Sequence, residues 1–193
     1  MHRLLILMLL VTLSATAHAG GNPAVRAYVD FDPPNYVHEL TPAPYSMVHA
    51  YVCLDHLDIG MTVLSFRTTD VVQECPGVFA TQNFITLLPG SMPFTITPWI
   101  PPGATLWSTE CMGASDPVVV VGRLEVFYLG GSCCYELRDH LDYPRWVVDC
   151  DDAIDFYCVY MHGSVGGVPC PTGDCDEVPV ELGTWGSVKT LYR

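Results

Sequence analysis

Nine cysteines lie downstream of an export signal, and that combination limits this chain more than any other feature. Arg3 is followed by an apolar run from Leu4 to Leu13, then by Ser14, Ala15, Thr16 and the small-x-small triplet Ala17-His18-Ala19. This is the layout of a secretory signal, residues 1–19, cut after Ala19. The apolar run is about half of what a bilayer crossing needs, so no transmembrane span is expected once the signal is gone. The expected destination is the extracellular medium or the cell surface, with the periplasm as the remaining option.

In an oxidising compartment, cysteines at this density read as a disulfide framework rather than as metal ligands. Zinc spacing is absent, since the close pairs are the adjacent Cys133-Cys134 and the C-x4-C of Cys170 and Cys175. Spacing alone does not dictate connectivity. The pairings expected here are Cys53 with Cys75, Cys111 with one of Cys133 and Cys134, Cys150 with the other, and Cys170 with Cys175. Cys158 is then the odd thiol.

The mature sequence reads as short strands punctuated by proline and glycine. Arg26 to Phe31, Met47 to Leu54, Thr62 to Arg67, Pro93 to Ile100, Val118 to Tyr128, Trp146 to Asp151 and Asp155 to Met161 all fit. Leu64 and Phe66 share one face of their strand, and Val63, Ser65 and Arg67 share the other. Val118 to Tyr128, with four leading valines, is expected at the centre of a sheet. Seven or more such strands with no intervening helices imply an all-β fold: an antiparallel β-sandwich, immunoglobulin-like or jelly-roll-like, stabilised by disulfides.

The chain carries 21 Asp and Glu against 8 Lys and Arg, for a net charge of −13. Such a surface repels nucleic acid and anionic lipid. The densest carboxylates are Asp149, Asp151, Asp152 and Asp155. Most simply they form a solvated turn between two strands, but hard oxygen ligands at this spacing could also converge on calcium, the only cofactor the sequence suggests. No G-x-S-x-G elbow is present, and Ser132 and His140 make a poor match to a nucleophile and base. Trp99, Trp107 and Trp146 lie near expected strand ends, where exposed rings could stack on sugars.

Gly163 to Gly183 changes character, with Gly166-Gly167, three prolines and the acids Asp174, Asp176, Glu177 and Glu181. The sandwich is therefore expected to span residues 20–168, followed by an acidic Pro/Gly linker over 169–183. In residues 184–193, Thr184 can cap a short helix with Trp185, Val188 and Tyr192 on one stripe, and Lys189 and Arg193 suit its C-terminal end.

Two segments resemble known sequences. The run LEVFYLGGSCCYELRDHLDYPRWVVDC, from Leu124 to Cys150, is similar to a strand, paired cysteines, proline turn and V-V-D-C strand of uncharacterised secreted β-sandwich proteins of environmental bacteria. The ending VPVELGTWGSVKTLYR resembles a recurrent C-terminal tail of exported proteins in such bacteria. The resemblance implies no activity. Its tail implies sorting or surface attachment through Trp185, Val188, Lys189, Tyr192 and Arg193, while Cys158, Cys170 and Cys175 depart from its pattern. The resulting expectation is a secreted or surface-displayed binding or structural module without catalytic activity, whose partner is a protein or glycan at the cell surface. A carbohydrate-binding module is the first alternative and a secreted hydrolase the second.

One consequence can be tested directly. Deleting the residues after Gly183 should leave thermal stability unchanged and shift the protein's final location, as seen by fractionating cells and medium. A fall of many degrees in melting temperature, with location unchanged, would instead place Trp185 and its neighbours in the core.

Overall fold

The computed structural model describes residues 21–88, 92–94, 103–114, 116–139 and 145–175. All belong to one compact unit, Gly20–Pro179. The signal segment, Trp99, His140 and the tail from 184 lie outside the described residues.

In chain order the elements are β1 (Arg26–Asp30), β2 (Glu39–Leu40), β3 (Ser46–Asp55), β4 (Met61–Thr68), the single-turn helix α1 (Val71–Glu74) and β5 (Phe79–Thr86). β6 (Met92–Phe94), β7 (Gly103–Met112), β8 (Val118–Tyr128), β9 (Cys133–Tyr135) and β10 (Leu137–Arg138) follow. β11 (Trp146–Asp149), β12 (Ile154–Phe156), β13 (Cys158–Met161) and β14 (Gly163–Val165) complete the set. The first sheet has the order β13-β1-β3-β8-β5, and the second β12-β11-β4-β7-β6 with β10 also on β4. A small third sheet, β2-β14-β9, lies beside them. Pairing is antiparallel except for β1 with β13 and β2 with β14.

Strand alternation builds the core. Leu64 and Phe66 of β4, Leu106 of β7 and Val147 of β11 are buried together with Val29, Val52, Leu54, Val121 and Leu124 of the first sheet. Each such side chain contributes roughly 1.5–3 kcal/mol by leaving water. Val118–Tyr128 is central, as its sequence suggests, with β3 on one side and β5 on the other. The expected strand at 155–161 is divided between the two sheets as β12 and β13.

Disulfide connectivity differs from the expectation throughout. The bonds are Cys75–Cys133, Cys111–Cys150, Cys134–Cys170 and Cys158–Cys175, and Cys53 is the free, buried thiol. The reasons are geometric. Cys133 and Cys134 are neighbours on β9, so their side chains point to opposite faces and must bond in opposite directions. Cys53 sits on β3 directly opposite Tyr28 of β1, far into a sheet, where no second cysteine reaches it. β7 and β11 flank β4 on its two sides, and this arrangement lets Cys111 meet Cys150 near the start of β4.

The segment expected to leave the core as a linker is instead fastened to it as far as Cys175. Besides the two disulfides at Cys170 and Cys175, Val159 N donates to the Asp174 carboxylate at 2.7 Å, and Asp174 N to Val159 O at 2.8 Å. A Cβ at Gly173 would collide with the carbonyls of Val159 and Tyr160. Residues 170–175 thereby cover the edge of β13, which would otherwise offer unpaired backbone groups to another chain.

Peptide mapping without reductant should recover the four cross-linked pairs. Burial also pushes the Cys53 thiol up, with Asp30 and Asp55 adding to the effect, so its reactive thiolate is suppressed. Iodoacetamide should accordingly leave the native protein unlabelled and modify Cys53 alone in denaturant. Labelling of Cys75 or Cys111 without reductant would overturn the connectivity. Removing Cys111–Cys150, which closes a 39-residue separation, should cost about 4 kcal/mol.

Candidate functional site

The outer face of the second sheet carries the surface that stands out. Antiparallel register places Ile154 of β12 opposite Val148 of β11, Val148 opposite Val63 of β4, and Val63 opposite Trp107 of β7. A second row runs Phe156, Trp146, Ser65, Thr105. Ile154 is 56% exposed, Phe156 58% and Trp107 40%. Ser65, in the middle of the second row, is buried, with its Oγ 3.2 Å from Thr105 Oγ1. An apolar row thus crosses four adjacent strands, and large hydrophobic side chains at its ends remain in water. Sequence reading singled out Trp107 and Trp146 and missed Ile154, Phe156, Val63 and Val148. The available signal was Ile154-Asp155-Phe156, where apolar residues flank a carboxylate that turns inward.

Charge surrounds this face unevenly. Exposed Asp151 and Asp152 occupy the β11–β12 turn beside Val148 and Ile154, and exposed Glu110 follows Trp107 on β7. The Cys111–Cys150 bond spans that same end and clamps the two strands that flank β4. Arg67 stands toward the other end, opposite Gly103.

The first sheet's outer face is different in kind. Its centre holds the Arg123–Glu125 ion pair at 2.6 Å, with His49 Nε2 3.7 Å from the same carboxylate. Nearer β1, the loop after that strand lays Tyr36 on Tyr28, with ring centroids 5.0 Å apart.

The four aspartates considered for calcium do not converge, because alternation divides them. Asp149 and Asp155 point inward and are buried, while Asp151 and Asp152 are exposed. Among the described residues no group of three or more His, Cys, Asp or Glu side chains is placed to hold a metal. Asp149 works on the backbone instead. Its Oδ1 accepts from Asp151 N at 2.9 Å and Ala153 N at 2.8 Å, which shapes the β11–β12 turn, and its Oδ2 accepts from Gly21 N at 2.6 Å. Asp155 Oδ2 accepts from Asn22 N at 2.9 Å. Burial raises the Asp155 carboxyl above its ordinary value; the Asn22 hydrogen bond opposes this and the Asp149 charge adds to it.

A cleft of about 240 Å³ on the first-sheet side is lined by Arg26, Tyr36, His38, Tyr160 and Met161. Its charges are satisfied internally. Arg26 grips Asp55 through two hydrogen bonds of 2.9 and 2.7 Å and lies 4.4 Å from the centroid of the Tyr160 ring. His56 Nδ1 is 2.9 Å from the same carboxylate. Burial alone would raise the Asp55 carboxyl, but the hydrogen bonds from Arg26 and His56 outweigh it and hold the group below its ordinary value.

A depressed folded-state value means that Asp55 stabilises the fold above the unfolded carboxylate pKa and loses that contribution as pH falls through the folded one. Asp55→Asn should cost about 2–3 kcal/mol at pH 7, as for hydrogen bonds to charged groups. Wild-type and variant melting temperatures should then converge as the pH falls below the ordinary carboxylate range and through the lowered folded-state value. A constant gap across the acid range would refute the ion pair's role.

No protein-family model and no curated protein matches the chain. Solved structures do. The solution structure of CaCohA2 from Clostridium acetobutylicum aligns over 77% of this chain and 95% of its own, at 14% identity and a TM-score of 0.50. The sixth cohesin of Acetivibrio cellulolyticus scaffoldin B, solved in complex with a mutant Cel5 dockerin, aligns over 74% of this chain and 97% of its own, at 13% identity and a TM-score of 0.49. The seventh ScaB type I cohesin from Pseudobacteroides cellulosolvens covers 83% and 98%, at 8% identity and 0.48. At such identities the likeness is one of fold, and that fold is the β-sandwich.

Proposed function

We propose that this chain is an exported, non-catalytic β-sandwich module that binds a protein partner on the outer face of its second sheet. The observation that carries the reading is the apolar row Ile154, Val148, Val63, Trp107, flanked by Phe156. Large apolar side chains held in water on a disulfide-clamped sheet gain free energy when a partner covers them, and a rigid surface loses little entropy in doing so. Asp151, Asp152 and Glu110 at one margin define the partner's chemistry further. It presents an apolar centre bordered by lysine or arginine, which the acidic rim attracts from a distance.

A sugar-binding reading has one observation in its favour. Trp107 and Trp146 lie on this same face, separated diagonally across β4 by about 12 Å from strand spacing alone. The aliphatic row between them favours protein, since Val63, Val148 and Ile154 offer sugar hydroxyls no hydrogen bond.

Panning a phage-displayed peptide library against the mature protein should enrich peptides that combine apolar residues with flanking Lys or Arg. Trp107→Ser and Phe156→Ser should each weaken the selected peptides roughly 30-fold, the scale of an interface hot spot. Met47→Ser on the other sheet should leave them unchanged, and all three variants should melt within a few degrees of wild type. Peptides retained in full by the Trp107→Ser, Phe156→Ser double variant would refute the surface. Saturable quenching of tryptophan fluorescence by chito- or cello-oligosaccharides, without peptide enrichment, would transfer it to the sugar reading.

A further inference from the structure

We infer that the groove beside β13, on the first-sheet side, is a seat for a neutral saccharide. Next to the cleft of about 240 Å³ described above lies a second of about 420 Å³, bounded by β2, the end of β13 and residues 170–173. His38, Tyr160 and Met161 line both, so the two form one groove with a shared wall. The larger cleft falls within the roughly 300–1,000 Å³ of small-molecule sites.

Two histidines give this groove opposite hydrogen-bonding characters. His38 Nδ1 lies 2.7 Å from Val29 O. A carbonyl can only accept, so Nδ1 carries the proton and Nε2 the lone pair. That Nε2 is buried and has no hydrogen-bond partner among the described residues. A buried acceptor without a donor is unfavourable, so a ligand that brings a donor gains by it. Met161, unbranched and bordering the same two clefts, can shift to admit one. His162 is the reverse case, for its Nδ1 accepts from Leu137 N at 3.2 Å. Burial lowers the His162 pKa; Glu136 and Asp174 oppose this, and Arg145 and Arg138 add to it. The neutral ring therefore carries its proton on Nε2. One acceptor and one donor on fixed rings suit hydroxyl groups, each of which both gives and takes a hydrogen bond.

Charge narrows the ligand further. Arg26 is gripped by Asp55 and already lies over the Tyr160 ring, so it repels a second cation and is not free to hold an anion. Glu39 adds an exposed carboxylate at the rim, which repels anions and accepts from hydroxyls. Tyr36 and Tyr160 supply rings against which an apolar face can pack. A ligand that is uncharged, rich in hydroxyls and apolar on one face meets all of these conditions, and a sugar ring with its C–H face is such a molecule.

The walls are set in advance. Asp30 Oδ1 accepts from Asp32 N and Val37 N at 2.9 Å, and its Oδ2 from Tyr36 N at 3.0 Å, which fixes the loop that carries Tyr36 and His38. The opposite wall is tied down by Cys134–Cys170 and Cys158–Cys175. Little freedom is left to lose on binding.

The test is a screen of the mature protein against an array of neutral, acidic and amino saccharides, followed by calorimetric titration of the strongest neutral hit. Tyr160→Ala should weaken that hit at least roughly 10-fold. Thr172→Trp, at the exposed lip of the larger cleft, should do the same by filling it, and decides the matter if loss of the Tyr160 ring disturbs folding. Trp107→Ser should change nothing, and tryptophan fluorescence should stay constant on binding, since no tryptophan lines either cleft. In NMR spectra of the imidazoles, His38 Nε2 should become a hydrogen-bonded acceptor only when saccharide is present. The assignment is overturned if no neutral saccharide binds, if binding survives both groove variants or follows Trp107, or if charged saccharides bind more tightly than neutral ones. None of these readouts involves peptide binding, so failure of the surface proposal leaves them intact.

Discussion

One stretch of chain, Ile154 to Met161, belongs to both sheets, and the arrangement of everything else depends on it. Its first part pairs with β11 in the second sheet and its last part with β1 in the first. Tyr157 is the corner between them. It is buried, its hydroxyl donates to Ser65 O at 2.8 Å, and burial holds that hydroxyl in its neutral form by pushing its pKa up. Because the crossing strand fixes how the sheets meet, it also sets which side chains on its two sides face water. Asp155 and Tyr157 turn inward; Ile154 and Phe156 are left outside.

Charge and covalent bonds complement each other around this frame. With 21 acids and 8 Lys and Arg, the chain repels itself when compact. Its described arginines act largely as internal braces. Arg138 bridges Glu74 of α1 and Glu136, and Arg145 pairs with both Asp139 and Asp174. Cations engaged in this way leave the surface acidic. The four disulfides hold against the remaining repulsion, since they restrict the unfolded chain whatever the salt or pH. The result is an acidic, cross-linked sandwich with an apolar row on the outer face of its second sheet.

How much of this could be read beforehand depended on whether the governing contacts were local. The alternation in β4 and the valine run of β8 mark buried strands directly, because a period of two is a property of neighbouring residues. β7 was missed, although Ala104, Leu106 and Ser108 alternate inward against Thr105 and Trp107. Small inward residues give little apolar signal, and Pro101-Pro102-Gly103 reads as a stop. Disulfide connectivity was illegible because the bonded cysteines are separated by 58, 39, 36 and 17 positions. Such pairs are chosen by sheet order, which no window of sequence contains. Asp149 lies between these cases. It shares a face with buried Val147, yet it was expected in a solvated turn, because the partner that draws it inward, Gly21, is 128 residues away.

The Cys158–Cys175 bond also gives the molecule a defined mechanical path. Tension applied to the chain beyond Cys175 does not travel back through the residues between the two cysteines. It passes through the sulfurs to Cys158, the first residue of β13, and from there into the crossing strand and its neighbour β1. The stretch containing Gly166 and Gly167, whose glycines lose the most conformational freedom on ordering, is thereby left out of the load. A pull from the C-terminal side is resisted by sheet hydrogen bonds and by the buried Tyr157 corner, and residues 166–169 carry none of it.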